Sequence, residues 1–501
     1  MILLKLIKKY ADADPSAVVF EGRDGRMTWN EFRVETEKII LFLLNHYGSS
    51  MPRQASYIAR NRADLLPWLS ALTTLGVPAT GLDYTLPAAH LKTMNDAISS
   101  ELVIISSKTV FHDHGITQVA QPNALLIDLD SVAIPFLSVR SDGSADMAAL
   151  LDSYQLPSRP YRAVGFTSGT SSAPKPVLRE APFDQRRFAY FTERFGFGGA
   201  DRFLSIMPIY HAAGNGWVRL FLSLGASIYI DNYDSPAELK RVLETERIST
   251  SVMSPIMLSE LVDAYPETAR TALPSLRWLL IGGKHLPASL KLRALSVLGP
   301  CLHEYYGTTE TGVNTLAGPN DMLSHPDSVG LAYDGNSVLV VDPDGRPVGA
   351  NESGTVVIDS YMNMRRYADG EAAALTIDGR RYLVTPEHGY LDSEGRLFLL
   401  NRAQHSGNLT PIYRLEDAIR TLPNVGDVAI LPMAQGAGGG LACALSLKNN
   451  CPNEPNLIGK VRQLAAQESV TLDQCAVIPA IPYSPSGKVR VGDISSLLAR
   501  M

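Results

Sequence analysis

Four short apolar runs, "RFLSIMP", "SIYID", "TSVMSP" and "SLRWLLIGG", succeed one another between residues 202 and 283, separated by helical stretches such as "WVRLFLSLG" and "SPAELKRVLETER". Strands that alternate with helices must return in the same direction, so this rhythm predicts a parallel sheet covered by helices. An earlier set, "QASYIARN", "LVIIS" and "ALLIDLD", alternates in the same way with stretches such as "DLLPWLSALTTLG". From Trp29 to Tyr47, Phe32, Ile39, Ile40, Phe42 and Leu43 fall at helical spacing, and Gly48 supplies a stop.

Beyond about residue 330 the texture changes. Turn-forming stretches "DPDGRPV", "NESGTVVI" and "DSEGRLFLL" punctuate short strands and predict a small antiparallel β subdomain. From Asn401 the chain restarts as a mixed unit with helices at "LEDAIRTL" and "LIGKVRQLAAQE" and strands at "DVAILPM" and "ACALSLK", with "QGAGGG" as a flexible tip. The expectation is therefore an α/β fold in two domains, a large N-terminal one over residues 1–400 and a small α+β C-terminal one over residues 401–501. A length of 501 residues agrees with more than one core.

A net charge of -6 argues against binding nucleic acid, which needs a basic surface. The opening "MILLKLIKKYADADP" is interrupted by lysines too soon for a signal peptide, no uncharged apolar run is long enough to span a bilayer, and the four cysteines show no C-x-x-C spacing. A cytoplasmic protein with no membrane span is expected.

The strand-like "YRAVGF" feeds the loop "TSGTSSAPKP", in which Thr167, Ser168, Gly169, Thr170, Ser171, Ser172 and Lys175 offer hydroxyl and ammonium donors to phosphate. Pro174 stands before Lys175, so the loop is not of the Walker type, and by itself such a stretch is equally a solvated turn. It is followed in order by "PIYHAAGNGW", "LLIGGKHLP", "HEYYGTTETG", "GYLDSEGRLFLLNR" and "PYSPSGKVR". Together these resemble the adenylate-forming superfamily of acyl- and aryl-CoA synthetases, peptide-synthetase adenylation domains and luciferase, over nearly the whole chain.

The resemblance implies ATP- and Mg²⁺-dependent attack of a carboxylate on the α-phosphate. Transfer of the acyl group to coenzyme A or to the phosphopantetheine of a separate carrier protein would follow. It implies that the opening loop clasps phosphates and that Gly283, Tyr306, Gly307 and Thr308 border the nucleotide. Thr309 and the metal-binding Glu310 would stand near the α-phosphate, with Glu387 and Arg402 at the ribose. His211 would border the reacting carboxylate, and Asn215, Lys284 and Gly312 the acid pocket. Lys488, on a mobile C-terminal domain that hinges at Gln404, would bridge carboxylate and α-phosphate. "PIYHAAG" lacks the Asp of amino-acid-activating relatives, so a non-amino-acid acid, aryl or short to medium acyl, is expected.

Several positions depart from the family. Ser172 and Pro176 replace glycines, Pro386 and Glu387 replace Gly-Asp, and Gln404 stands at the hinge. The loop that follows is about two residues short, and Lys284-His285 brings charge where relatives have small or uncharged residues. Two alternatives stay open: transfer of the adenylate to an amine or carrier only, and a non-catalytic binding homologue. "HDH" at 112–114 reads as a solvated loop rather than a metal cluster.

Overall fold

The computed structural model describes residues 1–48, 50–110, 118–131, 162–166, 175–179, 184–265, 273–367, 370–402, 410–433, 440–448 and 456–500. Nine strands form the main sheet. Across it they run Leu331–Ala332, Gly312–Ala317, Leu302–Thr308, Trp278–Gly282, Thr250–Met253, Arg202–Ser205, Ser227–Ile230, Val18–Gly22 and Gly25–Thr28. The six central strands are parallel, with registers such as Leu280↔His303 and Ile228↔Phe203. Every residue of Trp278–Gly282 is buried, because helices cover both faces of a parallel sheet.

A second, four-stranded sheet, ordered Ala79–Gly81, Ala55–Ile58, Leu102–Ile105, Leu125–Asp128, is parallel throughout. The Trp29–Tyr47 helix starts at a capping box in which Thr28 Oγ1 accepts from the Glu31 N–H and Glu31 accepts from the Thr28 N–H. It ends at Gly48, φ +58°. One continuous core reaches from Met1 to Tyr333.

The "YRAVGF" strand belongs to neither parallel sheet. Ala163–Phe166 pairs antiparallel with Pro176–Arg179, Phe166 opposite Pro176. The last turn-rich stretch is the predicted antiparallel sheet: Ser337–Val341, Gly354–Asp359, Arg380–Leu391 and Ala374–Ile377, with Leu397–Arg402 paired to Arg380–Leu391. Beyond it, Val425–Pro432, Leu441–Leu447 and Gln474–Val477 form a three-stranded sheet with the Thr410–Arg420, Leu457–Gln467 and Val491–Leu498 helices. This small domain has cores of its own, around Leu415, Val428 and Leu445, and around Ala444, Ile478 and Ile494. Among the described residues no helix is long and apolar enough to cross a membrane.

Candidate active site

Parallel strands direct ligands to their carboxyl ends, and three of the main strands end at predicted residues. His211 follows Arg202–Ser205, Gly283 follows Trp278–Gly282, and Thr309-Glu310 follow Leu302–Thr308. These positions, with Thr308, Gly307, Gly312, Asn215, Lys175, Glu387 and Lys488, line a single cavity of 1880 Å³. That exceeds the ~300–1,000 Å³ of an ordinary small-molecule site and leaves room for a nucleotide and a second molecule.

His211 caps the Ala212–Ser223 helix: its Nδ1 accepts from the Ala213 N–H at 3.3 Å. An accepting Nδ1 leaves the ring proton on Nε2. Burial, and then the charge of Lys488, push the imidazole down to about 3, so it is neutral at pH 7. Asn215, one turn on, donates from Nδ2 to the Tyr57 hydroxyl at 3.3 Å, and that hydroxyl donates to the Ile209 carbonyl at 2.9 Å.

Elsewhere on the cavity Tyr367 joins two residues singled out in the sequence. Its hydroxyl donates to Glu310 Oε1 at 3.3 Å, and Lys175 Nζ lies 5.7 Å from its ring centre. Arg179 donates to the Thr309 carbonyl. One carboxylate with neighbouring hydroxyls is a donor set that suits magnesium shared with phosphate oxygens. Glu387 is buried, accepts from the Tyr306 hydroxyl at 3.2 Å, and stands directly opposite Arg402 in the antiparallel ladder. Thus the two ribose candidates are cross-strand neighbours.

Two of the expected residues do not line this cavity. Tyr306 does not line the cavity; its ring packs with Val338, Val356 and Leu397 in the antiparallel subdomain, while Tyr305 takes the wall. Adjacent residues of a strand face opposite sides, so Tyr305 and Tyr306 part here, and the ladder register shifts only after Tyr306. Gly307 is required by the hairpin itself, since a Cβ there would stand 2.2 Å from the Gly312 carbonyl oxygen. Lys284, expected at the acid pocket, does not line the cavity either and points to the small domain, with Nζ 4.7 Å from the Tyr483 ring centre. Burial pushes its amine down to about 7, against the pull of Glu416 and Asp427. Thr167, Ser168, Gly169, Thr170, Ser171, Ser172 and Gln404 lie outside the described residues, as does "HDH" at 112–114.

Lys488 reaches this cavity because the C-terminal tip docks on the large domain. Gly487, φ +78°, leaves no space for a side chain: a Cβ would stand 2.4 Å from Ser254 Oγ. Arg490 donates to Thr85 Oγ1 at 2.5 Å, and the His285 and Tyr413 rings stack at 4.3 Å. Ser289 donates to Asp417 at the same interface. Sequence motifs missed Tyr57, Arg179, Arg187, Arg219, Tyr367 and Arg490, all of which line the cavity. The i, i+4 series His211, Asn215, Arg219, Ser223 is a signal that could have found Arg219, because it draws a polar stripe along an otherwise apolar helix.

Comparison with known proteins agrees with this geometry. The model of the AMP-binding enzyme family matches residues 7–368. Indoleacetate–CoA ligase of Aromatoleum aromaticum is 25% identical over 528 residues, covering 100% of this chain and 99% of that one. A putative acyl–CoA ligase of Bacillus subtilis, YdaB, is 26% identical over 289 residues, 57% of each chain. Among solved structures, the amide bond synthetase McbA of Marinactinospora thermotolerans superposes with a TM-score of 0.77 at 19% identity over 99% of both chains.

Proposed function

Because this chain belongs to the AMP-binding enzyme family, the adenylate-forming superfamily, we propose that it activates a non-amino-acid carboxylic acid with ATP. The acyl group of the adenylate then passes to the thiol of coenzyme A or of a carrier phosphopantetheine, and AMP leaves with the electron pair of the broken acyl–oxygen bond. The observation that carries this reading is the meeting of Lys488 with His211, Thr309, Glu310 and Lys175 on one cavity, although the chain separates them widely.

A carboxylate and a polyphosphate repel one another, so the reaction needs positive charge where they meet. A carboxylate oxygen forms the bond to the α-phosphorus, the bond to the bridging oxygen breaks, and pyrophosphate leaves with that electron pair. Lys488 is positioned to neutralise both anions as they approach. His211, neutral and protonated on Nε2, serves as a hydrogen-bond donor to the carboxylate without giving it a proton. Lys175 faces the side on which pyrophosphate leaves, and Glu387 with Arg402 would hold the ribose. Glu310 would hold magnesium, which offsets phosphate charge when bound.

Residues 401–501 carry Lys488 on a separate small domain, and we read that domain as the moving part. Its departure would open the adenylate to the thiol. The short segment after Arg402 favours a second reading, in which an amine takes the acyl group instead.

Acid-dependent pyrophosphate release, measured over aryl, fatty and dicarboxylic acids, tests the first step. Coenzyme A and hydroxylamine in parallel reactions separate the two acceptors. Wild-type release with at least one acid is expected, and absence of release with every acid would sink the proposal.

A further inference from the structure

The fold brings together two cysteines that no spacing in the chain connects. Cys443 lies in the Leu441–Leu447 strand and Cys475 in the Gln474–Val477 strand, and the parallel ladder pairs them directly. Side chains of directly paired residues leave the same face of a sheet, and neighbouring strands run ~4.8 Å apart. A disulfide takes Cα atoms ~4.4–6.8 Å apart, so the two can be joined with little movement of either strand.

Both thiols are free. Cys443 is fully buried in the small-domain core with Leu415, Val428 and Val461. Cys475 packs against that core from the outermost strand of the three-stranded sheet and is only half-buried.

The pair is asymmetric. Cys443 donates to Cys475, and that bond, with the charge of Arg462, holds the Cys475 thiol below its ordinary range against the opposing effect of burial. The same bond, and then burial, push Cys443 up. Arg462 is fixed at this edge, where its Nη1 donates to the Leu472 carbonyl at 3.0 Å. One sulfur is therefore reachable and disposed to be a thiolate, and the other is a buried thiol in contact with it. That is how an attacking cysteine stands beside a resolving one. Cys301 offers the contrast: in the large-domain core its thiol donates to the Leu298 carbonyl and is pushed up to about 11 by burial.

We propose that Cys475 and Cys443 form an oxidation site for hydroperoxides that closes as a disulfide within the chain. The Cys475 thiolate attacks one peroxide oxygen, the O–O bond breaks, and a sulfenic acid forms. The other oxygen leaves with the electron pair and takes up a proton as water or an alcohol. The Cys443 sulfur then attacks the sulfenic sulfur, the S–O bond breaks, and the hydroxyl leaves as water with the Cys443 proton. Two electrons pass from the two sulfurs to the peroxide. The bond ties a four-residue edge strand to the centre of its sheet, in the domain that carries Lys488. Neither cysteine lines the large cavity, so the site stands apart from the reaction proposed above.

The test is peptide mass mapping, without reduction, of the full-length protein after exposure to hydrogen peroxide. The expected product is a Cys443–Cys475 pair lighter than its two thiols by ~2 Da and restored by dithiothreitol. Cys475 should lose its thiol at least ~10-fold faster than Cys301 in the same chain. In Cys443→Ala the sulfenic acid of Cys475 should persist and be captured by a 1,3-diketone, ~10-fold or more above wild type. In Cys475→Ala, Cys443 should react at least ~10-fold more slowly than in wild type. Peroxide that leaves the two unjoined, pairs either with Cys301 or Cys451, or links two chains through them would overturn the proposal. So would Cys443 reacting at the wild-type rate in Cys475→Ala. The wild-type map decides the matter even where a variant fails to fold.

Discussion

The two ends of the cavity are built by different means. The end proposed for the nucleotide is assembled from the termini of elements far apart in sequence: the Pro176–Arg179 arm with Lys175, the turn at Thr308–Glu310, the Arg380–Leu391 strand with Glu387, and the C-terminal tip with Lys488. The acid end is mostly one helix, with His211, Asn215 and Arg219 at successive turns. Loop termini present backbone and hard oxygen donors where phosphate needs them, so their residue types are constrained by chemistry common to every substrate. A helix wall can exchange one side chain per turn without disturbing the sheet beneath it, which is where selectivity among acids is free to vary.

If the ends are separable, variants at one should leave the other's signature intact. Lys488→Ala removes the cation proposed to neutralise both reacting groups, and pyrophosphate formation should fall ~10²–10³-fold for every acid tested. The ratio of kcat/KM between any two acids should stay within about threefold, since the helix wall is untouched. A changed ratio would join the two ends into one unit, and an undiminished rate would remove Lys488 from the chemistry.

A second cut goes through the docking of the tip. Valine at Gly487 would need both the left-handed φ of +78° and the space taken by Ser254 Oγ. Strain of this kind costs ~1–3 kcal/mol, so Gly487→Val should lower adenylation ~5–100-fold by undocking the small domain. Small-angle scattering should report a more extended particle, and the unfolding of the large domain should be unmoved. A compact variant with full activity would show that docking at Ser254 is not needed.

The difference between the ends also decides what could be read from the sequence. Both parallel sheets, the antiparallel subdomain and the Trp29–Tyr47 helix follow from local periodicity and caps, which short-range physics determines. His211, Glu310 and Lys488 were legible because fixed residue types recur in order around one chemistry. Tyr306 and Lys284 lie off the cavity wall for reasons beyond the motif: Tyr306 alternates with Tyr305 along one strand and packs into the antiparallel subdomain, and Lys284 reaches toward Tyr483 of the small domain. Arg187 carries no local signal, because its seat is made by Gly216 on another helix. Arg219 carries one, the four-residue polar period of an otherwise apolar helix.

His211 sits where the two ends meet, and pH separates its electrostatic role from its shape. An imidazole that ionises near 6.5 in the unfolded chain and at about 3 in the folded one gains a proton on unfolding between those values. The unfolded state binds more protons there, so stability falls as pH drops from about 6.5 toward 3. Between pH 7 and pH 5 this contributes a loss of ~1–2 kcal/mol. Urea unfolding of His211→Gln should show a pH-dependent loss smaller by that amount. An identical loss in both proteins would mean that His211 ionises freely in the folded chain.

The smallest expected effect sharpens the comparison most. Tyr306 packs into the antiparallel subdomain, and its hydroxyl donates to Glu387 of the cavity at 3.2 Å. Tyr306→Phe keeps the ring in its apolar seat and removes that one hydrogen bond, worth ~0.5–1.5 kcal/mol. If Glu387 holds the ribose, the KM for ATP should rise ~2–10-fold with kcat nearly constant, because the contact is uniform along the reaction rather than special to its transition state. The KM for the acid should not move, and neither should the ratio between acids. Should the acid's KM rise with that of ATP, a single hydroxyl on the antiparallel subdomain would be felt at the far helix, and the two ends would have to be treated as one rigid unit joined through the strand that ends at Thr308.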